Sequence, residues 1–174
     1  MIRLLHRKKD EGNRALFVEA VNAYSEPLYW HARRMVVVHE DAEDVVQNTF
    51  ANAWKHIDTL QDSNAMRAWL YRIATREAMT LLSKRVEKPE DEKQMAFYLG
   101  NKFEEEHVAS GDELVAQLQR AILQLTDCQR TIFNLRYYDE LSYKEIAEIV
   151  GVAESTAKVH FRNARMRIEE MMMG

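Results

Sequence analysis

The stretch LSYKEIAEIVGVAESTAKVHFRNAR, residues 141–165, carries the clearest structural signal in the chain. Ser142 is followed three residues later by Glu145, which is the pattern of a capping box at a helix start. Apolar residues then recur at helical spacing until Gly151, a residue that readily takes the left-handed backbone found at helix ends. A second apolar stripe at helical spacing begins at Ala157. The stretch therefore predicts a helix-turn-helix.

The second of these helices has a cationic face. Between Glu154 and Ile168 the sequence contains four Lys or Arg residues against one acid, whereas the whole chain has a net charge of −4. A helix in the major groove uses cations for phosphates and short polar side chains, here Ser155 and Thr156, for base edges. The pattern favours DNA binding, and the alternative is an ordinary surface helix with solvated charges.

Composition restricts the fold and the compartment. Of the 174 residues 47% are hydrophobic, only 5 are Gly and 2 are Pro, and no alternating strand pattern occurs. The chain is therefore predicted to be all-α, with one or two small domains. The single cysteine, Cys128, excludes a disulfide within the chain and a cysteine-rich zinc site. Without a membrane-spanning run or a signal-like start, the sequence predicts a soluble, cytoplasmic protein that does not insert into membranes.

Two further helical patterns occupy residues 13–57. The first contains Pro27, which predicts a break followed by a new helix. The second, from Ala42 to Ile57, has the most regular apolar stripe in the chain. Its first turn is acidic and adjoins His39, so one interpretation is a metal site or a carboxylate-dependent enzyme, although no second ligand cluster completes such a site. The polar face of this helix favours contact with another protein.

A basic helical pattern follows, from Met66 to Arg85. Opposite its apolar face, cations are interleaved with Tyr71. Such a face suits a single nucleic-acid strand, whose phosphates the cations neutralise and whose bases the aromatic ring stacks. The alternative is a hydrated basic face without a ligand. Asn64, in the preceding polar loop, is a candidate cap for this helix.

Acidic residues are concentrated between these two parts of the chain. Residues 86–113 contain nine acids and three lysines, a net charge of −6, so the remainder has a net charge of +2. This predicts an acidic linker at 87–117 between domains at 1–86 and 118–174. Acidic runs are usually solvated and disordered. The alternative is that the segment mimics nucleic acid and lies in a basic channel of a partner.

Three strings together resemble the extracytoplasmic-function (ECF) group of bacterial RNA polymerase sigma factors. They are DAEDVVQNTFANAW (41–54), WLYRIATREA (69–78) and the helix-turn-helix of residues 141–165. The resemblance covers nearly the whole chain and implies a transcription initiation factor that binds core RNA polymerase and has no catalysis of its own. A helical region 2 would melt the −10 promoter element, and a region 4 helix-turn-helix would read the −35 element. The resemblance also implies an anti-sigma factor as partner and no cofactor, metal or small-molecule substrate.

The same resemblance implies three sets of site residues. The set that docks on the clamp helices of the largest polymerase subunit is Asp41, Glu43, Asp44, Gln47 and Asn48. The set that reads the −10 element, where a base is extruded from the non-template strand, is Asn64, Arg67, Tyr71, Arg72, Thr75 and Arg76. The set that reads the −35 element is Ser155, Thr156, Lys158, His160, Arg162 and Arg165.

A stand-alone helix-turn-helix transcriptional regulator is the main alternative function, because effector domains of response regulators share the terminal motif. That class explains residues 125–168, but it explains neither the acidic helix nor the segment around Trp69. It predicts tight, salt-dependent binding of duplex DNA by the protein alone. A sigma factor is expected to bind duplex DNA poorly until polymerase is present.

Overall fold

The computed structural model describes residues 2–86, 92–106 and 112–174, the side chains of residues 2–6 and 92 excepted. Every regular element in these residues is helical, as predicted from composition. The α-helices are α1 (Ile2–Val36), α2 (His39–Lys55), α3 (Met66–Arg85), α4 (Glu92–Glu106), α5 (Glu113–Leu123), α6 (Asp127–Tyr137), α7 (Tyr143–Val150) and α8 (Glu154–Met173). Two short 3-10 turns, Ile57–Thr59 and Ser63–Ala65, lie between α2 and α3. No described helix has both the length and the apolar composition that crossing a bilayer requires.

The first helix passes through its proline without a break. α1 includes Pro27, so the predicted break at that residue is wrong. Proline in a helix interior removes one hydrogen bond and costs about 3 kcal/mol in isolation. Here tertiary packing holds the helix together, because Leu28 and Ala32, one turn apart, are fully buried. The chain turns instead at Val37, whose φ of 69° lies in the left-handed region.

Apolar residues from both ends of the chain share one core. α1, α2 and α3 pack on one another, and α5, α6, α7 and α8 form a second group. Leu28 and Leu70 of the first group belong to the same buried cluster as Leu135, Leu141 and Ile146 of the second. The two helical groups are therefore in direct contact, although the sequence separates them by an acidic segment.

The helix α4 occupies the middle of the segment predicted to be a linker. Its apolar side is buried with residues of α1 and α3, through Met95, Leu99 and Phe103. Its acidic end faces outward, where Arg33 Nη2 donates to Glu106 Oε2 at 3.1 Å. The described acids are thus the solvated face of an amphipathic helix. Residues 87–91 and 107–111 of the predicted linker lie outside the described residues, and its mimicry of nucleic acid stays a prediction.

Two glycines give a matched test of local backbone conformation. Gly151 has a φ of 78°, whereas Gly100 lies within α4, and a Cβ at either position meets no atom within 4 Å. Gly151→Ala is expected to lower the free energy of unfolding by about 1 kcal/mol, because alanine is strained in the left-handed region. Gly100→Ala is expected to raise it by about 0.5–1 kcal/mol, because alanine favours helix. Urea denaturation followed by circular dichroism measures both changes, and shifts of the same sign would contradict this assignment.

Candidate nucleic-acid and protein interfaces

α7 and α8 form the predicted helix-turn-helix. Ser142 and Glu145 make the complete capping box: Ser142 Oγ accepts from the Glu145 amide at 3.2 Å, and Glu145 Oε2 accepts from the Ser142 amide at 2.8 Å. Gly151 ends α7 in the left-handed conformation. Ala157 and Ile168 anchor one side of α8 in the core. The opposite side of α8 is left to solvent.

The predicted −35 residues lie on this open side of α8. All are exposed except His160, which is half-buried. Lys158 and Arg165 each pair with a glutamate one turn away on the same helix, at 3.5 and 3.3 Å. Arg162 forms no ion pair or hydrogen bond with any residue in the described ranges. Exposed ion pairs on a helix contribute about 0.5 kcal/mol or less to stability. DNA phosphates can therefore readily replace the two glutamates as partners of Lys158 and Arg165.

Four of the five predicted polymerase contacts are exposed together on α2, namely Glu43, Asp44, Gln47 and Asn48. Asp41 differs from them, because it is 4% exposed and its Oδ1 accepts from Arg85 Nη2 at 2.6 Å. This bond raises the pKa of the Arg85 guanidinium. Tyr98 of α4 lies on the same side, and burial, together with the charge of Asp41, raises the pKa of its phenol. Asp41 is therefore engaged by α3 and lies close to α4.

The side chains of the acidic first turn of α2 make ordinary surface contacts. His39 Nδ1 is 2.7 Å from the Tyr29 hydroxyl, and its Nε2 is 3.4 Å from Glu43 Oε1. Among the residues that the structure describes, no three His, Cys, Asp or Glu side chains converge as metal ligands do. The contacts of His39 are those of a half-exposed ring that bridges two polar neighbours.

The predicted −10 residues separate into groups along α3 and the turn before it. Arg72 and Arg76 line an open cavity of about 420 Å³ beside the C-terminal end of α2. Asn64 is exposed in the second 3-10 turn, and its amide donates to Asp62 Oδ1 at 2.9 Å. Asp62 therefore caps this turn, and the expectation that Asn64 caps the following helix is wrong. Arg67, the first cation of the set, points away from the cavity toward the C-terminal helices.

The cavity has the groups that an unstacked base requires. Its other lining residues are Asn52, His56, Thr59, Trp69, Ile73 and Glu77. The Asn52 amide nitrogen donates to Glu77 Oε1, which places a carboxylate beside the two arginines. Trp69 adds an aromatic surface. Hydrogen-bond donors, an acceptor and an aromatic ring are what base edges and base faces bind.

None of these six lining residues was among those predicted from the sequence to bind DNA. They come from α2, His56 directly after it, the first 3-10 turn and α3, so they meet only when the chain folds. The one local signal was the i, i+4 spacing of Asn52 and His56 at the C-terminal end of α2. Glu77 interrupts a basic face and for that reason does not match a pattern of nucleic-acid-binding cations.

Two of the remaining −10 candidates, Arg67 and Tyr71, contact the loop that joins α6 to α7, and the third, Thr75, is linked to that loop through His31. Asp139 of this loop is buried, and its Oδ2 lies 2.8 Å from His31 Nδ1. The other ring nitrogen of His31 lies 3.0 Å from Thr75 Oγ1. Arg67 Nη2 donates to the Asp139 carbonyl oxygen. Tyr71 is 2% exposed, and burial first, then Asp139, raises the pKa of its phenol.

Two protein-family models match the chain. The model of Sigma-70 region 2 matches residues 20–87, and the model of Sigma-70 region 4 matches residues 116–168. The ECF RNA polymerase sigma factor SigW of Bacillus subtilis is 30% identical over 99% of this chain and 97% of its own length. The RNA polymerase sigma factor SigV of the same organism is 29% identical over 93% of this chain and 95% of its own length.

Two solved structures share the fold. The sigma factor RpoE of Bartonella quintana, in complex with the anti-sigma factor NepR, superimposes with a TM-score of 0.69 and 23% identity over 90% of this chain and 96% of that one. CnrH in complex with the cytosolic domain of CnrY gives a TM-score of 0.66 and 22% identity over 98% of this chain and 96% of that one. The match to SigW extends over nearly the full length of both proteins, and the two region models match in the same order as the acidic helix and the helix-turn-helix. The chain belongs to the ECF family of RNA polymerase sigma factors.

Proposed function

We propose that the exposed face of α2 docks on the clamp helices of core RNA polymerase, that the cavity beside α3 holds a base of the melted −10 element, and that α8 reads the −35 element. The observation that carries this assignment is the presence of three chemically different surfaces on one chain. The first is acidic and polar, the second is a cationic cavity with an aromatic wall, and the third is the basic side of a helix-turn-helix. A regulator that binds DNA alone requires only the third.

The docking surface consists of Glu43, Asp44, Gln47 and Asn48. They lie within two turns of α2, on a helix that its opposite side fixes in the core, so the surface is rigid before binding. A rigid polar surface loses little side-chain entropy on association. Asp41 is buried and bonded to Arg85, so it can contact polymerase only after that bond has broken and the side chain has become exposed.

The cavity of region 2 receives the extruded base. Extrusion costs a few kcal/mol of stacking, which a pocket of polar contacts and cations offsets. Arg72 and Arg76 are placed for phosphates and base edges, Glu77 for an exocyclic amine, and Trp69 for stacking. This assignment adds Trp69 and Glu77 to the residues implied by the family resemblance.

Two arginines on different sides of α8 are expected to contribute differently to the salt dependence of promoter binding. Arg162 lies on the proposed DNA side, whereas Arg167, on another side of the same helix, approaches Gln129 Oε1 at 3.5 Å. Arg162→Ala is expected to weaken binding of promoter duplex by the polymerase complex and to reduce the slope of log K against log salt by about 1, because one phosphate contact is lost. Arg167→Ala is expected to leave the slope unchanged. Filter binding across a salt series measures both, and equal slopes for the two variants would remove Arg162 from the interface.

An anti-sigma protein is the proposed regulator, and the cytoplasm, where polymerase acts, is the proposed location. A cavity of about 420 Å³ lies between α1, α4 and α5, and it is bordered by Trp30 and Val115, both about half exposed. Exposed apolar side chains around a cavity are typical anchor points for a protein partner. The protein itself is proposed to have no catalytic activity, since the chemistry of initiation belongs to the polymerase.

Transcription in vitro tests the function. Core bacterial polymerase, the purified chain and a DNA fragment from upstream of its own gene are combined, and core polymerase alone is the control. We expect specific transcripts only when the chain is present. Tight binding of the duplex by the chain alone, without transcripts, would instead support the stand-alone regulator.

A further inference from the structure

One acid of region 4 is buried in the surface of region 2. The Asp139 side chain is 3% exposed, and its two oxygens lie 2.8 Å from His31 Nδ1 and 2.7 Å from Arg34 Nη2. Arg34 also stacks on the neighbouring Tyr138, with its guanidinium carbon 4.6 Å from the ring centroid. The side-chain hydrogen bonds of Asp139 therefore reach α1, and its carbonyl oxygen binds Arg67 of α3. All of these contacts join region 4 to helices of region 2.

These contacts cover the surface proposed to bind the −10 strand. Tyr71 and Thr75 are each 2% exposed, and Arg67 is engaged by the Asp139 carbonyl group. Arg72 Nη2 lies 3.7 Å from Glu148 Oε2 of α7. Three of the six candidates, Arg67, Tyr71 and Arg72, are thus contacted by region 4. Two of the contacting groups are the carboxylates of Asp139, beside Tyr71, and Glu148, beside Arg72, and they carry the same charge as DNA phosphates.

The closed arrangement cannot contact both promoter elements. The −10 and −35 elements are about 25 base pairs apart, which is roughly 85 Å of duplex at 3.4 Å per step. A compact chain of 174 residues has a radius of gyration of about 16 Å, equivalent to a sphere about 40 Å across. Promoter recognition therefore requires region 4 to leave region 2.

We propose that Asp139 is a latch that keeps the sigma factor closed when polymerase is absent, with region 4 occupying the −10 surface in competition with the non-template strand. The latch rests on the proposed function of α3. The Asp139 carboxylate pairs with Arg34 of α1, its carbonyl oxygen binds Arg67, and Glu148 pairs with Arg72. Opening releases Arg67 and Arg72 for the strand, so binding of DNA and closure by region 4 exclude each other.

The neighbouring acid supplies a matched control for the test. Asp139→Asn removes one charge from the buried contact, and Glu140→Gln removes one charge from the next residue, which is exposed. Small-angle X-ray scattering of the free, full-length protein measures closure. We expect a radius of gyration of about 16 Å for the natural protein and for Glu140→Gln, and a value at least about 3 Å larger for Asp139→Asn.

Strand binding provides the second readout. The probe is a fluorescein-labelled single strand with the −10 sequence of the promoter used for transcription, and a scrambled strand is its control. Asp139→Asn is expected to bind the probe at least about tenfold more tightly than the natural protein, which corresponds to a natural open fraction of about one tenth or less. Arg34→Gln breaks the same contact from region 2. If Asp139→Asn loses its helical circular dichroism, and therefore does not fold, Arg34→Gln is measured in its place.

The outcomes separate the latch from the proposed function. An extended natural protein, or an unchanged radius in both Asp139→Asn and Arg34→Gln, would overturn the latch even if transcription succeeds. A larger radius without tighter strand binding would also overturn it, because region 4 would then not be competing for the −10 surface. Opening and tighter strand binding, with no transcripts from any variant, would support the latch and refute the proposed function.

Discussion

Replacing Asp44 and Gln47 together with alanine is expected to abolish specific transcription with core polymerase. Both side chains are exposed on α2, one turn apart, at the centre of the proposed docking surface. Central contacts of a protein interface typically contribute about 2–4 kcal/mol when they are lost, which weakens association about 30- to 900-fold. At polymerase concentrations near the natural dissociation constant, little complex would remain. Transcript yield and polymerase affinity, measured on the same preparation, test the effect.

A matched pair on another helix controls for surface charge. Glu19 and Asn22 of α1 are also an exposed acid and an exposed amide three residues apart. Their double replacement by alanine is expected to leave transcript yield and polymerase affinity unchanged, because α1 contributes no residue to the docking surface. Exposed substitutions usually change stability by less than about 0.5 kcal/mol, so both variants should keep their helical circular dichroism. Equal losses in the two variants would show that α2 has no special role in docking.

The helix-turn-helix was predictable because its determinants are local. The capping box is contained within four residues, from Ser142 to Glu145, and the left-handed turn needs only Gly151. The apolar spacing that follows selects the buried side of α8, which in turn fixes its exposed side. Each of these signals acts over one or two helical turns, so reading the sequence in short windows recovers them.

The boundaries of the first helices depended on distant packing and were not predictable in the same way. Pro27 is a strong local break signal, but it lies in a helix whose next turns are buried against α2, α3 and the C-terminal helices. The real turn is at Val37, a β-branched residue for which the left-handed region is unfavourable. No local signal marks that position. The buried position of Val37, which is 4% exposed, accompanies the strained backbone.

The candidate −10 surface shows where periodicity stops being informative. Spacing along α3 placed Arg72 and Thr75 on one polar side, and the fold sends Arg72 to the edge of the cavity and Thr75 to a hydrogen bond with His31. His31 is 44 residues away from Thr75 in the chain, and Asp139 is 108 residues away from His31. A pattern within one helix indicates polarity, but it does not indicate which polar residues another domain will cover.

A buried arginine in α6 predicts the largest change in stability. Arg130 is 2% exposed and its Nη2 donates to Asp127 Oδ1 at 2.9 Å. Its Nε and Nη1 are buried without a hydrogen-bond partner among the described residues. Burial lowers the pKa of this guanidinium, while Asp127 opposes that shift. The carboxylate is therefore the one described group that offsets the cost of burying the charge.

Asp127→Ala is consequently expected to lower the free energy of unfolding by about 2–4 kcal/mol. Loss of one partner of a fully buried ion pair costs about 3–5 kcal/mol. The range expected here is lower than that, because the Asp127 side chain is 47% exposed. Arg130→Met, which keeps the aliphatic volume and removes the charge, is expected to be neutral or stabilising. It places a thioether beside Met35 and Met95, which line the same cavity. Urea denaturation followed by circular dichroism measures each variant.

The double variant separates the buried charge from other effects of Asp127. If the uncompensated guanidinium causes the loss, Asp127→Ala combined with Arg130→Met should recover to within about 1 kcal/mol of the natural protein, the remainder being the favourable position of an acid in the first turn of α6. Glu169→Ala provides the exposed comparison, because its partner Arg165 is 62% exposed and the pair should contribute at most about 0.5 kcal/mol. A double variant as unstable as Asp127→Ala alone would assign the loss to the start of α6. In that case Arg130 tolerates burial without its carboxylate.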